Sequence, residues 1–103
     1  MTFRSRKLLD QAHTMPCLAQ FPHECTAWQG CEPAHADSQL FGRGHGHKAP
    51  DWAFASMCHT AHGMISAKVG GGMDRDTKFH EWLRAYVATT EWLWSNNKIR
   101  VAA

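Results

Sequence analysis

The stretch DWAFASMCHTAHGMISA, residues 51–67, decides the fold. Its apolar first half, 51–57, carries Trp52 and Phe54 and predicts a short strand. A helix of about two turns is predicted to start near Cys58 or His59 and to end before Gly70-Gly71-Gly72. The junction between them gathers a thiol and two imidazoles, Cys58, His59 and His62, which are the side chains that divalent metals prefer.

Working outward, residues 31–37, CEPAHAD, predict an earlier short strand, which Pro33 confines to an edge position or a bulge. Between the two strands lies SQLFGRGHGHKAP, 38–50, a flexible basic loop with Arg43, His45, His47 and Lys48 set among glycines. The order is strand, loop, strand, helix. Upstream, residues 4–13 read as a short helix or a basic arm, and Pro16 and Pro22 break regular structure around Cys17 and Cys25, as in a loop folded around something. Downstream, Asp74 or Asp76 can cap a long helix whose apolar positions are Phe79, Trp82, Leu83, Tyr86, Val87, Thr90, Leu93 and Trp94, a stripe read as core. Asn96 and Asn97 tolerate left-handed backbone and should end it, leaving Ile99-Arg100-Val101 as a tail able to pair with a strand.

A chain of 103 residues is the size of one domain, 1–103, and buries more than about 60% of its unfolded surface without disulfides. Its apolar runs fall far short of the roughly 20 residues that span a bilayer. The basic Arg4-Ser5-Arg6-Lys7 is followed by no apolar signal segment, so a reducing cytoplasmic setting is expected and no membrane partner. In a reducing compartment the commoner reason to collect four thiols, Cys17, Cys25, Cys31 and Cys58, is metal rather than disulfide. Cys17 and Cys25 supply half of a zinc set and Cys58 begins the other half, but a Cys-x-x-Cys pair would need its partner at 61, where Ala61 stands. Cys31, His59, His23 or His13 can fill the gap, or the cysteines are ordinary buried small residues. Net charge is only +2, but eight His join eleven Lys and Arg, which gives modest support to a nucleic-acid partner. His35 ends the first strand and His62 lies one turn into the following helix, so a strand-strand-helix unit can turn both inward; either can equally be a hydrogen-bonded structural histidine.

Taken together, Cys17-x7-Cys25, Ala34-His35, Gly44-x-Gly46-x-Lys48-x-Pro50-Asp51 and Cys58-x-x-Ala61-His62 resemble a family of small nuclease-like proteins of lambdoid phages and prophages. The resemblance covers nearly the whole chain. It implies an α+β fold of the HNH-like ββα-metal, treble-clef-like type with a long C-terminal helix, and a phage-derived, metal-dependent endonuclease hydrolysing phosphodiester bonds in DNA. It implies His35 as general base, Asp51 near the place of the middle Asn of HNH motifs, and His62 as ligand of a catalytic Mg²⁺, Mn²⁺ or Ni²⁺. Cys17, Cys25 and Cys58 become ligands of a structural Zn²⁺, and Arg43, His45, His47 and Lys48 contact DNA. The chain departs from the family's pattern at Ala61, which replaces a cysteine, and at Ala34, where many HNH enzymes carry a metal ligand. Both departures favour the alternative, a non-catalytic zinc-stabilised nucleic-acid-binding module.

Overall fold

The computed structural model describes residues 3–36, 49–66 and 72–102. Its elements in chain order are a one-turn helix α1 (Arg6–Asp10), strand β1 (Cys31–His35), strand β2 (Phe54–Cys58), helix α2 (His59–Ser66) and the long helix α3 (Arg75–Ser95). Short 3₁₀ turns at Gln11–Thr14 and Ala27–Gln29 link α1 to β1. The fold is therefore a small α+β arrangement of two antiparallel strands and three helices, the last of them long.

Asp74 caps α3 as expected, its carboxylate accepting from the Thr77 amide at 2.7 Å. At the other end Asn97 takes φ 57°, and the amides of Asn97 and Lys98 turn back to the carbonyls of Trp94 and Leu93, a Schellman closure. That closure corrects one expectation: among the described residues the tail pairs with no strand, because the Ile99 amide also bonds Leu93 O and its side chain packs beside Leu93. A second correction concerns the stripe. The buried line on α3 is Trp82, Ala85, Thr89 and Leu93, while Val87 and Trp94 are 61% and 48% exposed. Small Ala85 and Thr89 let β2 come close, which large side chains there would prevent.

β2 starts three residues later than expected and runs one further. Asp51–Ala53 form a turn, closed by the Ala53 amide on Pro50 O. The ladder pairs Cys31 with Cys58, Pro33 with Ser56 and His35 with Phe54. Both backbone groups of Ser56 point away from β1: its amide donates to Thr89 Oγ1 at 2.9 Å and its carbonyl accepts from the Leu18 amide at 2.9 Å. Pro33 and Ser56 are therefore a pair without mutual hydrogen bonds, and the missing N–H of Pro33 points outward from the ladder, where it costs nothing. The same bonds cover the outer edge of β2 with α3 and the segment around Leu18.

Two apolar clusters flank this hairpin. Ala34, Ala55, Met57, Ala61, Trp82 and Ala85 belong to the larger, and Trp82 Nε1 donates to Ala34 O at 2.8 Å. Phe54 meets Ala12, Met15 and Leu93 in the smaller. No helix among the described residues is long and apolar enough to cross a membrane.

Candidate functional site

Three polar groups gather around the hairpin: a thiol cluster where β2 meets α2, a histidine and a carboxylate at the far end of β1, and a glutamate facing α2.

Cys17, His23, Cys25 and Cys58 each bring one ligand atom into a group whose members all lie within 4.8 Å of one another. The loop that Pro16 and Pro22 keep irregular supplies three of them, and the β2–α2 junction supplies Cys58. The Cys17 Sγ to His23 Nε2 separation is 3.6 Å, which is the sulfur–nitrogen edge of a tetrahedron with bonds of about 2.3 and 2.05 Å. His23 Nδ1 lies 2.8 Å from Phe21 O. A carbonyl only accepts, so Nδ1 carries the proton and Nε2 presents its lone pair to the thiols, and the bond to Phe21 O fixes the orientation of the ring. The four side chains thus fit a structural zinc ion in donor type, number and spacing. His23 fills the position left open by Ala61.

The thiols are electrostatically unequal. Burial raises Cys17, to about 11, with the adjacent Cys58 sulfur adding to the rise. Burial pushes Cys58 upward too, but hydrogen bonds from the Thr26 and Ala61 backbone amides outweigh it and bring it down to about 6. The Ala61 bond measures 3.4 Å, and the Cys58 amide itself donates to Cys17 Sγ at 3.3 Å. Cys58 is therefore the resident thiolate at the head of α2. Cys31, its cross-strand neighbour, is a buried thiol whose proton burial holds in place; it stands outside the ligand group.

At the far end of β1, His35 Nε2 lies 3.1 Å from Asp51 Oδ1. Asp51 is only 5% exposed and is held from three sides: Arg4 Nη1 donates to Oδ1 at 3.0 Å, the Ser5 amide donates to Oδ2 at 2.7 Å, and His35 completes the set. Burial pushes the Asp51 carboxyl upward, but the donors from Ser5, His35 and Arg4 outweigh it and hold it below the usual range. An ionised carboxylate only accepts, so Nε2 of His35 carries the proton and Nδ1 keeps its lone pair. The imidazole side chain remains 30% exposed, and so reachable.

His62 joins neither group. Its Nδ1 lies 2.6 Å from Glu32 Oε1, and His59 Nδ1 reaches the same carboxylate at 3.3 and 3.4 Å. Burial raises Glu32, but bonds to His62 and His59 outweigh it and hold the carboxyl low. Alternation along β1 gives Glu32 and Ala34 to one face and His35 to the other.

The residues predicted from sequence are thus brought together in pairs and triples: Cys17, Cys25 and Cys58 in the thiol cluster, His35 with Asp51, and His62 with Glu32. Arg43, His45, His47 and Lys48 lie outside the described residues. Sequence reasoning left His23 among four candidates and overlooked Glu32 and Arg4; the run His23-x-Cys25 was the available signal for the first, and no local signal marks the other two. Compared with known protein families, curated proteins and solved structures, the chain matches none.

Proposed function

We propose that this chain is a phage-derived, HNH-like, metal-dependent endonuclease that hydrolyses phosphodiester bonds in DNA. The observation that carries the reading is the His35–Asp51 pair at the end of β1, in a chain whose order is β1, β2, α2 with His62 one turn into α2. Asp51 acts as a positioning residue, holding the proton on Nε2, so Nδ1 of His35 is the basic atom. An imidazole is the side chain best suited to take up a proton near neutral pH. In hydrolysis a water oxygen attacks phosphorus, Nδ1 of His35 takes the water's proton, and the bond from phosphorus to the leaving sugar oxygen breaks. A divalent cation such as Mg²⁺, Mn²⁺ or Ni²⁺, when bound, neutralises charge on the phosphate and the leaving oxygen. His62, which lies against Glu32, would hold that ion. The zinc set at Cys17, His23, Cys25 and Cys58 ties the irregular N-terminal loop to the head of α2. Arg43 and Lys48, in the basic loop with His45 and His47, bind backbone phosphates without sequence preference.

One observation favours the second reading, a zinc-stabilised nucleic-acid-binding module without catalysis. His35 and Glu32 lie on alternate faces of β1, and Ala34 offers no ligand between them. Replacement of His35 separates the two. His35→Ala is expected to keep the fold and DNA affinity and to cut cation-dependent cleavage by roughly 10²-fold or more. Parent protein that cleaves no single-stranded, duplex or branched DNA with Mg²⁺, Mn²⁺ or Ni²⁺ overturns the nuclease reading in favour of the binding module.

A further inference from the structure

We infer that the corner of the fold where Arg4, His35 and Asp51 meet is a nucleotide site for single-stranded DNA, with Arg4 holding a backbone phosphate and the rings of Trp52 and Phe3 taking unstacked bases. The choice of DNA as ligand rests on the function proposed above. Asp51 anchors the N-terminal arm at three successive residues: its amide donates to Phe3 O at 3.0 Å, its Oδ1 accepts from Arg4 Nη1 at 3.0 Å, and its Oδ2 accepts from the Ser5 amide at 2.7 Å. Arg4 Nη1 also donates to Ala49 O at 2.9 Å, so both of its hydrogens are spent on the protein and the guanidinium plane is fixed. The N–H groups on the Nε–Nη2 edge of Arg4 meet no acceptor among the described residues, and the side chain is 46% exposed.

An anion that reaches this corner meets donors rather than the carboxylate. Asp51 is buried, and both its oxygens are covered by the bonds from Arg4, Ser5 and His35. Arg4 Nη1 and His35 Nε2 bond the same oxygen at 3.0 and 3.1 Å, which keeps the two nitrogens within about 6 Å of each other. One phosphate can therefore accept two bonds from the Nε–Nη2 edge of Arg4 while it faces the ring of His35, and a guanidinium already held in place loses little freedom in making them. Arg6 and Lys7, both exposed, extend the positive charge along the arm. Two large aromatic side chains flank the contact: Phe3 precedes Arg4 and is 51% exposed, and Trp52 follows Asp51 and is 45% exposed. The other exposed large apolar residues are scattered, Trp28 on a 3₁₀ turn, Val87 and Trp94 on α3 and Val101 in the tail, as is ordinary on a surface. Aromatic faces beside a fixed cationic group suit a backbone whose bases are unstacked, since every base offers a π-face and stacking needs no particular sequence. In an intact duplex the bases stack on one another, so Trp52 and Phe3 gain nothing from it and the site favours single strands.

The test measures DNA binding by fluorescence anisotropy on the full zinc-loaded chain, with no Mg²⁺, Mn²⁺ or Ni²⁺ added, so that binding is read apart from cleavage. A labelled oligodeoxythymidylate is expected to bind at least about fivefold tighter than a blunt hairpin duplex, and an abasic strand of the same length is expected to lose that advantage. Trp52→Leu should weaken the single strand about tenfold and leave the duplex within about twofold of the parent. Arg4→Gln should lower the slope of log affinity against log salt by about 0.7 for the single strand, which the loss of a purely structural ion pair does not do, while Arg75→Gln at the exposed start of α3 leaves it unchanged. Melting curves confirm that each variant is folded, and Trp52→Leu with the abasic strand carries the test where Arg4→Gln is not. Single-strand affinity within about twofold of the parent in the folded variants, or a duplex bound as tightly as the single strand, overturns the site. Single-strand binding that depends on Trp52, in a protein that cleaves no DNA once Mg²⁺, Mn²⁺ or Ni²⁺ is added, keeps the site and removes the nuclease reading. Cleavage that His35→Ala abolishes and that Trp52→Leu and Arg4→Gln leave intact does the reverse.

Discussion

Replacing His23 by alanine tests the thiol cluster most sharply, because the structure assigns it a place that the sequence leaves open. Zinc bound by a four-ligand set of this kind contributes an apparent free energy of about 10–16 kcal/mol near pH 7. The cluster has four donors, Cys17, His23, Cys25 and Cys58. Shared evenly among them, the loss of one corresponds to about 2.5–4 kcal/mol, or roughly a 10²- to 10³-fold drop in zinc affinity. Linkage turns this into stability: a 100-fold weaker site at fixed free zinc loses about 2.7 kcal/mol, and a domain of this size shifts by about 4–8 °C per kcal/mol. His23→Ala with zinc present should therefore melt about 10–20 °C below the parent, while the two chelated proteins melt close together. Competition against a chromophoric chelator measures the affinity directly, with His13→Ala as the exposed control. The same geometry predicts rescue: the Ala61 amide already bonds Cys58 Sγ, the pattern a Cys-x-x-Cys turn makes, so Ala61→Cys should restore zinc binding to His23→Ala. Zinc affinity unchanged in His23→Ala, or lost instead in His62→Ala, refutes the ligand set.

Zinc affinity should rise with pH, because Cys17, held at about 11, is protonated in the metal-free protein and must release its proton, whereas Cys58, at about 6, is already ionised at pH 7. A slope of log affinity below about one per unit between pH 7 and 9 would contradict this. Asp51 has a folded value below its unfolded one, so its contribution to stability is fully present above roughly pH 4 and is lost as pH falls through the folded value. Asp51→Asn should accordingly be less stable than the parent at pH 7, with the gap closing in acid unfolding below that pH; a gap that stays constant with pH would speak against the ion-pair origin. Thr89→Val keeps shape but leaves the buried Ser56 amide without its acceptor, and should cost about 1–3 kcal/mol in urea unfolding with little change in zinc affinity.

Local chemistry determined much of this protein from the sequence alone. The Asp74 cap, the Asn96-Asn97 stop and the start of α2 just after Cys58 were legible because each depends on residues within one turn of one another. The strand with Pro33 was legible too, since in a two-stranded sheet both strands are edges. Cys17, Cys25 and Cys58 were recognisable by residue type as candidate ligands, and the fold brings all three together. The tertiary structure alone decided the rest. His23 outranks Cys31, His59 and His13 as fourth ligand only because the loop around Pro22 brings its Nε2 to Cys17 while Phe21 O holds the other nitrogen. Val87 and Trp94 face solvent while Ala85 and Thr89 are buried, because α3 must lie close against the outer edge of β2, and helical periodicity does not say which face another element will cover. Arg4 meets Asp51 across 47 residues and Glu32 meets His62 across 30. Partners so far apart are selected by the path of the backbone between them: pairing of β1 with β2 brings Glu32 to the head of α2, and the bond from the Asp51 amide to Phe3 O brings Arg4 to Asp51.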